Sequence, residues 1–361
     1  MKIVSILGTR PEIIRLSRII PKLDQFCEHI VVHTGQNQQA CLSDIFFSEL
    51  EIRQPNYFLD SAGTVGEQIA VMFPKIEKIF EDEKPDKVLI LGDTNSALCS
   101  FIAERKQIPV YHLEAGNRCF DKRVPEEINR RIIDSISSFN LPYTYLSKEN
   151  LLREGVSKNK IFVVGNPINE VIKYYRKDID KSNILQRLKI KPRNYFLSTF
   201  HRSENVDDVM TLKQIVGGLS LVGQTYQLPV ICGIHPRTLD KIKKWTVHAD
   251  DPNVRFCDPV GFFDFNMLIK NALCVISDSG TVAEETCILR IPNVIIRQST
   301  ERPETIECGS SILAGVNCSN ISKCVKIMVG KDSNWKIPDE YLYENVSDRV
   351  TRILLGEFKN V

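Results

Sequence analysis

Through most of its length the chain alternates between short apolar runs and longer segments of helical periodicity, and this alternation constrains the fold more than any other feature. KIVSILG, HIVVHTG, KVLILGD, PVYHLE, LPYTYL and IFVVGN read as strands, most closing on Gly, Asp, Glu or Asn. Between them lie segments such as PEIIRLSRIIPKL and VGEQIAVMFPKIEKIF, whose apolar residues fall on one helical face. Runs that are apolar almost throughout fit parallel strands covered on both sides. Strands alternating with helices then imply a doubly wound α/β layer. Around IKYYRKDIDKSNILQRLKIKPRN the sequence turns charged and loses strand pattern, which puts a linker and a domain boundary near residue 170. The pattern restarts with YFLSTF, PVICGI, VRFCDP, CVISDSG, NVIIR and SSILAG. The expectation is an α/β protein of two Rossmann-like, doubly wound domains, residues 1–169 and 170–345, facing across a cleft. A terminal helix follows over 346–361.

A chain of 361 residues is long enough for two domains with separate cores. Its formal net charge of +2 gives no broad attraction to nucleic acid or membrane. No apolar run approaches the ~20 residues that span a bilayer. The amino terminus, MKIVSILGTRPE, enters a strand without the apolar segment of a signal peptide. The eleven cysteines are scattered singly from Cys27 to Cys324 with no C-x-x-C pair, which argues against structural zinc. Cys232 and Cys274 fall in strands, where a thiol acts as a small apolar residue. A reduced, cytoplasmic protein without metal is expected.

In an open parallel sheet, ligands bind at the carboxyl ends of strands. Gly8-Thr9-Arg10, His33-Thr34-Gly35-Gln36, Gly92-Asp93-Thr94, Glu114, His201-Arg202, His235-Pro236-Arg237 and Ser277-Asp278-Ser279-Gly280 all stand there. The first turn lacks both the G-x-G-x-x-G of a dinucleotide site and the Walker lysine, so NAD and ATP hydrolysis are not expected. Arg10 at a helix start can hold a phosphate, although a surface arginine in a turn is the plainer reading. Asp93 suits a helix cap. With Glu114 closing the next strand, however, two carboxylates share one rim, and neighbouring carboxylates tune each other for acid/base work.

Residues 111–134, YHLEAGNRCFDKRVPEEINRRIID, concentrate these groups. A loop with Arg118, Asp121, Lys122 and Arg123 leads into a helix opened by Pro125, Glu126 and Glu127. Ile128, Ile132 and Ile136 give that helix an apolar face, and Glu126, Arg130 and Asp134 share another. The sequence leaves open which glutamate turns inward. In the second half, His201-Arg202 suits a diphosphate, and the turn Ser277–Thr281 offers N–H groups and hydroxyls to anionic oxygens. Glu285 lies about one turn into the next helix, within reach of ribose hydroxyls, and Arg297 and Arg302 complete a positive wall. Trp245 and Trp335 read as packing residues.

Taken in order, GTRPE, HTGQ, GDTNS, HLEAGNR, PEEINRR, HRSEN, HPR, SDSGT and STERPE resemble the motifs of the non-hydrolysing UDP-N-acetylglucosamine 2-epimerases, over nearly the whole chain. The resemblance implies a GT-B-like fold with UDP held mainly by the second domain and the terminal helix crossing back to the first. It implies inversion at carbon 2 without NAD or metal: UDP is eliminated to leave a glycal, then added back after protonation from the opposite face. Carried over by position, Asp93, Glu114 and Glu126 are acid/base candidates. His201 stands beside the departing diphosphate, with Arg10, Ser279, Gly280, Glu285 and Arg302 on the UDP. Arg15, Arg118, Arg130 and His235 are further substrate contacts. No cofactor is implied, the partner is a UDP-sugar, and the family commonly forms homodimers. Arg15 stands where better-known members carry Lys, and HTGQN replaces HTGQH, which bears on an allosteric substrate site of some members. The loop 117–124 is similar to that of a subgroup making UDP-N-acetyl-L-fucosamine from UDP-2-acetamido-2,6-dideoxy-L-talose, and this loop is expected to set the sugar accepted. A GT-B glycosyltransferase using a UDP-sugar is the competing reading.

Overall fold

The computed structural model describes residues 1–36, 40–234, 236–330 and 332–358. The chain divides into two compact units, Met1–Tyr174 with Asp339–Val361, and Tyr175–Pro338. The first is built on β1 (Lys2–Leu7), β2 (Glu28–His33), β3 (Tyr57–Phe58), β4 (Lys87–Leu91), β5 (Val110–Leu113) and β6 (Phe139–Leu141), in the order β3-β2-β1-β4-β5-β6. The second is built on β7 (Phe196–Thr199), β8 (Val230–Gly233), β9 (Val254–Cys257), β10 (Cys274–Ser277), β11 (Asn293–Ile295) and β12 (Ser311–Leu313), in the order β12-β11-β10-β7-β8-β9. The named pairs in both sheets are parallel. Counted from its own first strand, each sheet has the Rossmann order 3-2-1-4-5-6.

Burial on both sheet faces explains the apolar runs. Every residue of β4 is buried. In β10, Cys274 and Ile276 enter one core cluster and Val275 the opposite one, as the two-residue period of a strand requires. Two expected strands of the first unit change role. LPYTYL ends as strand at Leu141, because Pro142 follows and Thr144 caps the helix Tyr145–Arg153, accepting from the Ser147 N–H at 3.1 Å. IFVVGN contributes only a single bridge, Asn140 to Ile161. The sheet's far edge is instead Tyr57–Phe58, two residues too short to show any period. PEIIRLSRIIPKL likewise forms two helices, Arg10–Leu16 and Ile20–Phe26, with Pro21 in the first turn of the second.

The charged segment around residue 170 is a series of short helices, Ile168–Tyr174, Arg176–Asp180 and Ile184–Arg187, and the units part between Tyr174 and Tyr175. The first of these helices stays with the first unit. Glu170 accepts from Ser347 N at 2.8 Å and from the Ser347 hydroxyl, and Asn166 N donates to Glu340 O at 3.0 Å. The last helix, Val346–Leu355, buries Val346, Val350 and Leu354 in that same unit. Its carboxyl end is gripped by Lys87, whose Nζ donates to Leu354 O at 2.6 Å and to Gly356 O. No described helix is long and apolar enough to cross a membrane.

In both sheets the strand order reverses beside the first strand, between β1 and β4 and between β7 and β10. Loops there diverge to opposite faces and leave a crevice, where doubly wound sheets bind ligands.

Candidate active site

At the first unit's reversal, the loop after β1 and the loop after β4 are tied by Glu12. This fully buried carboxylate accepts from Gly8 N and Thr9 N, each at 2.6 Å, through Oε2, and from Thr94 Oγ1 at 2.7 Å through Oε1. Burial raises its pKa to about 7, against the opposing pull of those hydrogen bonds. Arg10 opens the helix behind the loop, 5.9 Å over the Phe46 ring, and burial lowers its pKa from the usual arginine value. Asp93, which precedes Thr94 in the β4 loop, is not the N-cap of the following turn. Its carboxylate receives Arg130 Nε at 2.7 Å and the Arg130 terminal nitrogen at 2.6 Å, and its carbonyl accepts from Asn129 Nδ2 at 2.9 Å.

β5 pairs with β4, Leu91 opposite Leu113, so Glu114 follows directly at the same edge. Its φ of 72° lies in the left-handed region, which a non-glycine residue enters only when its surroundings hold it there. The buried Arg15 guanidinium lies 3.7 Å from the Glu114 carboxylate, and Asn117 Nδ2 donates to it at 3.4 Å. Gly116 has no alternative, since a Cβ there would meet Ser147 O at 2.2 Å.

The helix Pro125–Ile136 turns its charged face inward. Ile128 and Ile132 are 49% and 43% exposed, while the buried positions are Glu127, Arg130, Ile133 and Asp134. The isoleucine face thus points away from the core, because the inward face must grip the loops at the strand ends. Glu127, not Glu126, turns inward. It accepts from Cys119 N at 3.0 Å, Phe120 N at 3.3 Å and Arg130 at 3.1 Å, and so shapes the loop 117–124. Glu126 is half-buried in the first helical turn. Asp134 takes His112 Nδ1 at 2.8 Å, Gly116 N at 3.1 Å and Arg118 at 2.7 Å. Burial pushes Asp134 up, but His112 and Arg118 outweigh it and hold its pKa below the ordinary carboxylate value. Arg118 directs its remaining nitrogens at Glu154, with Nε 3.0 Å away.

In the second unit the reversal is tied by Asp278. Its buried carboxylate accepts from His201 N at 3.0 Å, Arg202 N at 2.9 Å and Asn205 Nδ2 at 3.0 Å. The His201 side chain is 44% exposed, with Nδ1 3.6 Å from that carboxylate. Ser279 N donates to Ser277 Oγ at 3.0 Å, and Ser279 Oγ lies 3.0 Å from Thr281 Oγ1, at the start of the helix Gly280–Leu289. A Cβ at Gly280 would come within 2.4 Å of Glu301 Oε1. The expected positive wall is a paired network instead. Arg297 meets Glu301 at 2.6 Å, Arg202 meets the same carboxylate at 3.3 Å, and Arg302 Nε donates to the buried Glu284. Glu285 is also buried in this helix. His235 lies outside the described residues.

Sequence reading thus located the strand-end residues, Asp278 among them, left open which of Glu126 and Glu127 turns inward and placed Asp134 on the charged helix face, but gave no holding role to any of these or to Glu12, His112, Glu284 and Glu301. Only Glu12 carried a local signal, as the third residue after Thr9 in a capping-box pattern.

Two parallel 3-2-1-4-5-6 sheets with polar reversal points define a two-Rossmann α/β protein of GT-B-like build. A family model described as UDP-N-acetylglucosamine 2-epimerase matches residues 22–355. The chain is 42% identical to a UDP-N-acetylglucosamine 2-epimerase of Methanocaldococcus jannaschii, over 98% of this chain and 99% of that one. It is 35% identical to a UDP-2,3-diacetamido-2,3-dideoxy-D-glucuronate 2-epimerase of Pseudomonas aeruginosa, over 92% and 93%. The crystal structure of the Methanocaldococcus jannaschii UDP-GlcNAc 2-epimerase in complex with UDP-GlcNAc and UDP matches with a TM-score of 0.93 at 43% identity, covering 98% and 99% of the two chains. The chain belongs to the UDP-N-acetylglucosamine 2-epimerase family.

Proposed function

We propose that this protein is a non-hydrolysing UDP-N-acetylglucosamine 2-epimerase, interconverting UDP-N-acetylglucosamine and UDP-N-acetylmannosamine. The observation that carries the reading is the pair of acids closing neighbouring strands β4 and β5, each beside an arginine: Asp93 with Arg130, and Glu114 with Arg15. In this reading a carboxylate removes the carbon 2 proton while the carbon 1–oxygen bond to UDP breaks, giving a glycal. Reprotonation from the opposite face and return of UDP to carbon 1 complete the inversion. Asp93, Glu114 and Glu126 share the proton work, and each well-placed acid or base contributes roughly 10²–10⁴ in rate. Expulsion of the diphosphate needs charge stabilisation. Arg10, His201, the Ser279–Gly280 helix start and Arg302 supply it, with Glu285 near the ribose.

The loop 117–124 is the part of the site we assign to choice of sugar. Glu127 and Arg118 fix its base, and Phe120 stands exposed at a φ of 55°. A homodimer is part of the proposal, supported by the outward stripe of Ile128 and Ile132. So is a cytoplasmic location, supported by the free thiols from Cys27 to Cys324.

The test is incubation in deuterated water with three donors in separate arms: UDP-N-acetylglucosamine, UDP-2-acetamido-2,6-dideoxy-L-talose and UDP-2,3-diacetamido-2,3-dideoxy-D-glucuronate. Deuterium at carbon 2 together with the manno product is expected in the first arm. Exchange confined to another arm would reassign the sugar, and no exchange in any arm would remove the epimerase reading.

A further inference from the structure

One buried carboxylate on the helix Pro125–Ile136 reaches both acid-bearing loops of the first unit. Asp134 Oδ1 meets His112 Nδ1 at 2.8 Å, and His112 Nε2 meets Gly92 O at 2.8 Å, the residue before Asp93. Asp134 Oδ2 meets Gly116 N at 3.1 Å, two residues after Glu114. Both ring nitrogens of His112 face acceptors, a carboxylate and a carbonyl, so the imidazole is oriented from two sides. The same helix holds the Asp93 carboxylate itself through Arg130, one turn before Asp134. His112 and Asp134 are almost fully inaccessible to solvent, and the hydrogen bonds given above tie them to the two loops.

We propose that His112 and Asp134 are positioning residues that fix the separation of the Asp93 and Glu114 carboxylates. This rests on the epimerase reading above, in which both acids act on one carbon. A base on one face and an acid on the other must both reach carbon 2, so a small change in their spacing is felt in proton transfer and hardly in nucleotide binding. The peptide on the amino side of Asp93 has no side chain of its own with which to be located, because residue 92 is glycine, at a φ of 73°. The His112 hydrogen bond to its carbonyl supplies that restraint.

The experiment uses the full chain, with active sites counted by UDP binding, and follows kcat, KM and the ratio of deuterium incorporation at carbon 2 to net inversion. That ratio is independent of how much protein is folded. His112→Leu is expected to lower kcat by about 100-fold, the scale of a 1 Å misplacement, with KM within about threefold. Its exchange-to-inversion ratio should rise several-fold as protons return to the face they left. His112→Gln keeps an N–H able to reach the Gly92 carbonyl and should recover turnover to within about tenfold of wild type. If His112→Leu does not fold, His112→Gln and Asp134→Asn carry the test through the same ratio, which should rise more for Asp134→Asn. Asp93→Asn is run beside them. Full turnover in Asp93→Asn would remove the acid/base reading itself. Loss in Asp93→Asn with an unaltered ratio and kcat in the His112 and Asp134 variants would overturn only the positioning role.

Discussion

The two reversal points face the same physical problem and solve it with opposite polarity. In each, two loops diverge from neighbouring strands and need a tie across the gap. In the first unit the tying carboxylate, Glu12, comes from the β1 side and reaches the β4 loop at Thr94. In the second, Asp278 comes from the β10 side and takes the amides of His201 and Arg202 behind β7. The difference decides what each crevice can offer. With Glu12 doing the tying, the β4 loop keeps Asp93, presented by Arg130. With Asp278 consumed, the second crevice is left with a half-exposed imidazole, serine and threonine hydroxyls and a helix start. One end suits proton transfer and the other an anion.

The sharpest break of that contrast is catalytic. Asp93→Asn should lower kcat by roughly 10²–10⁴, while calorimetry finds UDP binding unchanged. Parallel losses in both would erase the division. Next in size is Asp278→Ala, which strands the part-buried N–H groups of His201 and Arg202, while the Asn205 amide keeps the Ile296 carbonyl. At about 1–3 kcal/mol for each unsatisfied group, chemical denaturation should register a loss of about 4 kcal/mol. An intact stability would mean that Asp278 is no tie.

Glu12 gives a third, pH-dependent contrast. Its carboxyl is raised from 4.5 to about 7 in the folded protein, so the native state holds that proton more tightly than the unfolded chain. The contribution is full below pH 4.5 and fades as pH rises through about 7. Glu12→Gln should remove up to about 3 kcal/mol of this slope, read as the difference between the two pH–stability curves. Superimposed curves would assign Glu12 an ordinary acidity. The smallest effect belongs to the helix Pro125–Ile136. Ile128→Ser should change unfolding free energy by less than about 0.5 kcal/mol. Ile128→Glu should shift sedimentation from dimer to monomer if the stripe covers a second copy.

Most of the fold was legible because its signals are local. Continuous apolar strands and the residues ending them can be read without knowing what they pack against, which is how Asp93, Glu114, His201 and Ser279 were found. What stayed hidden depends on partners distant along the chain. Asp278 serves amides 76 and 77 residues away, and Glu12 reaches Thr94 over 82. A period of four also cannot tell an inward stripe from an outward one. Ile128 and Ile132 read only as an apolar face, and the charged row beside them took the interior because buried arginine and carboxylate can satisfy each other there. Arg302 likewise read as part of a positive wall until Glu284, from another helix, was found against it.

The return of Asp339–Val361 to the first unit has a consequence for how the protein is made. Translation delivers Met1–Tyr174 first, then the whole of Tyr175–Pro338, and only afterwards the residues that finish the first unit. At roughly 5–20 residues per second, the nascent amino-terminal sheet waits on the order of ten seconds for its last helix. During that interval Lys87 lacks the Leu354 and Gly356 carbonyls, and the surface that will receive Val350 and Leu354 is open to water and to chaperones. The later-made unit has all of its own strands before the earlier one has its closing helix, so the order of completion is the reverse of the order of synthesis.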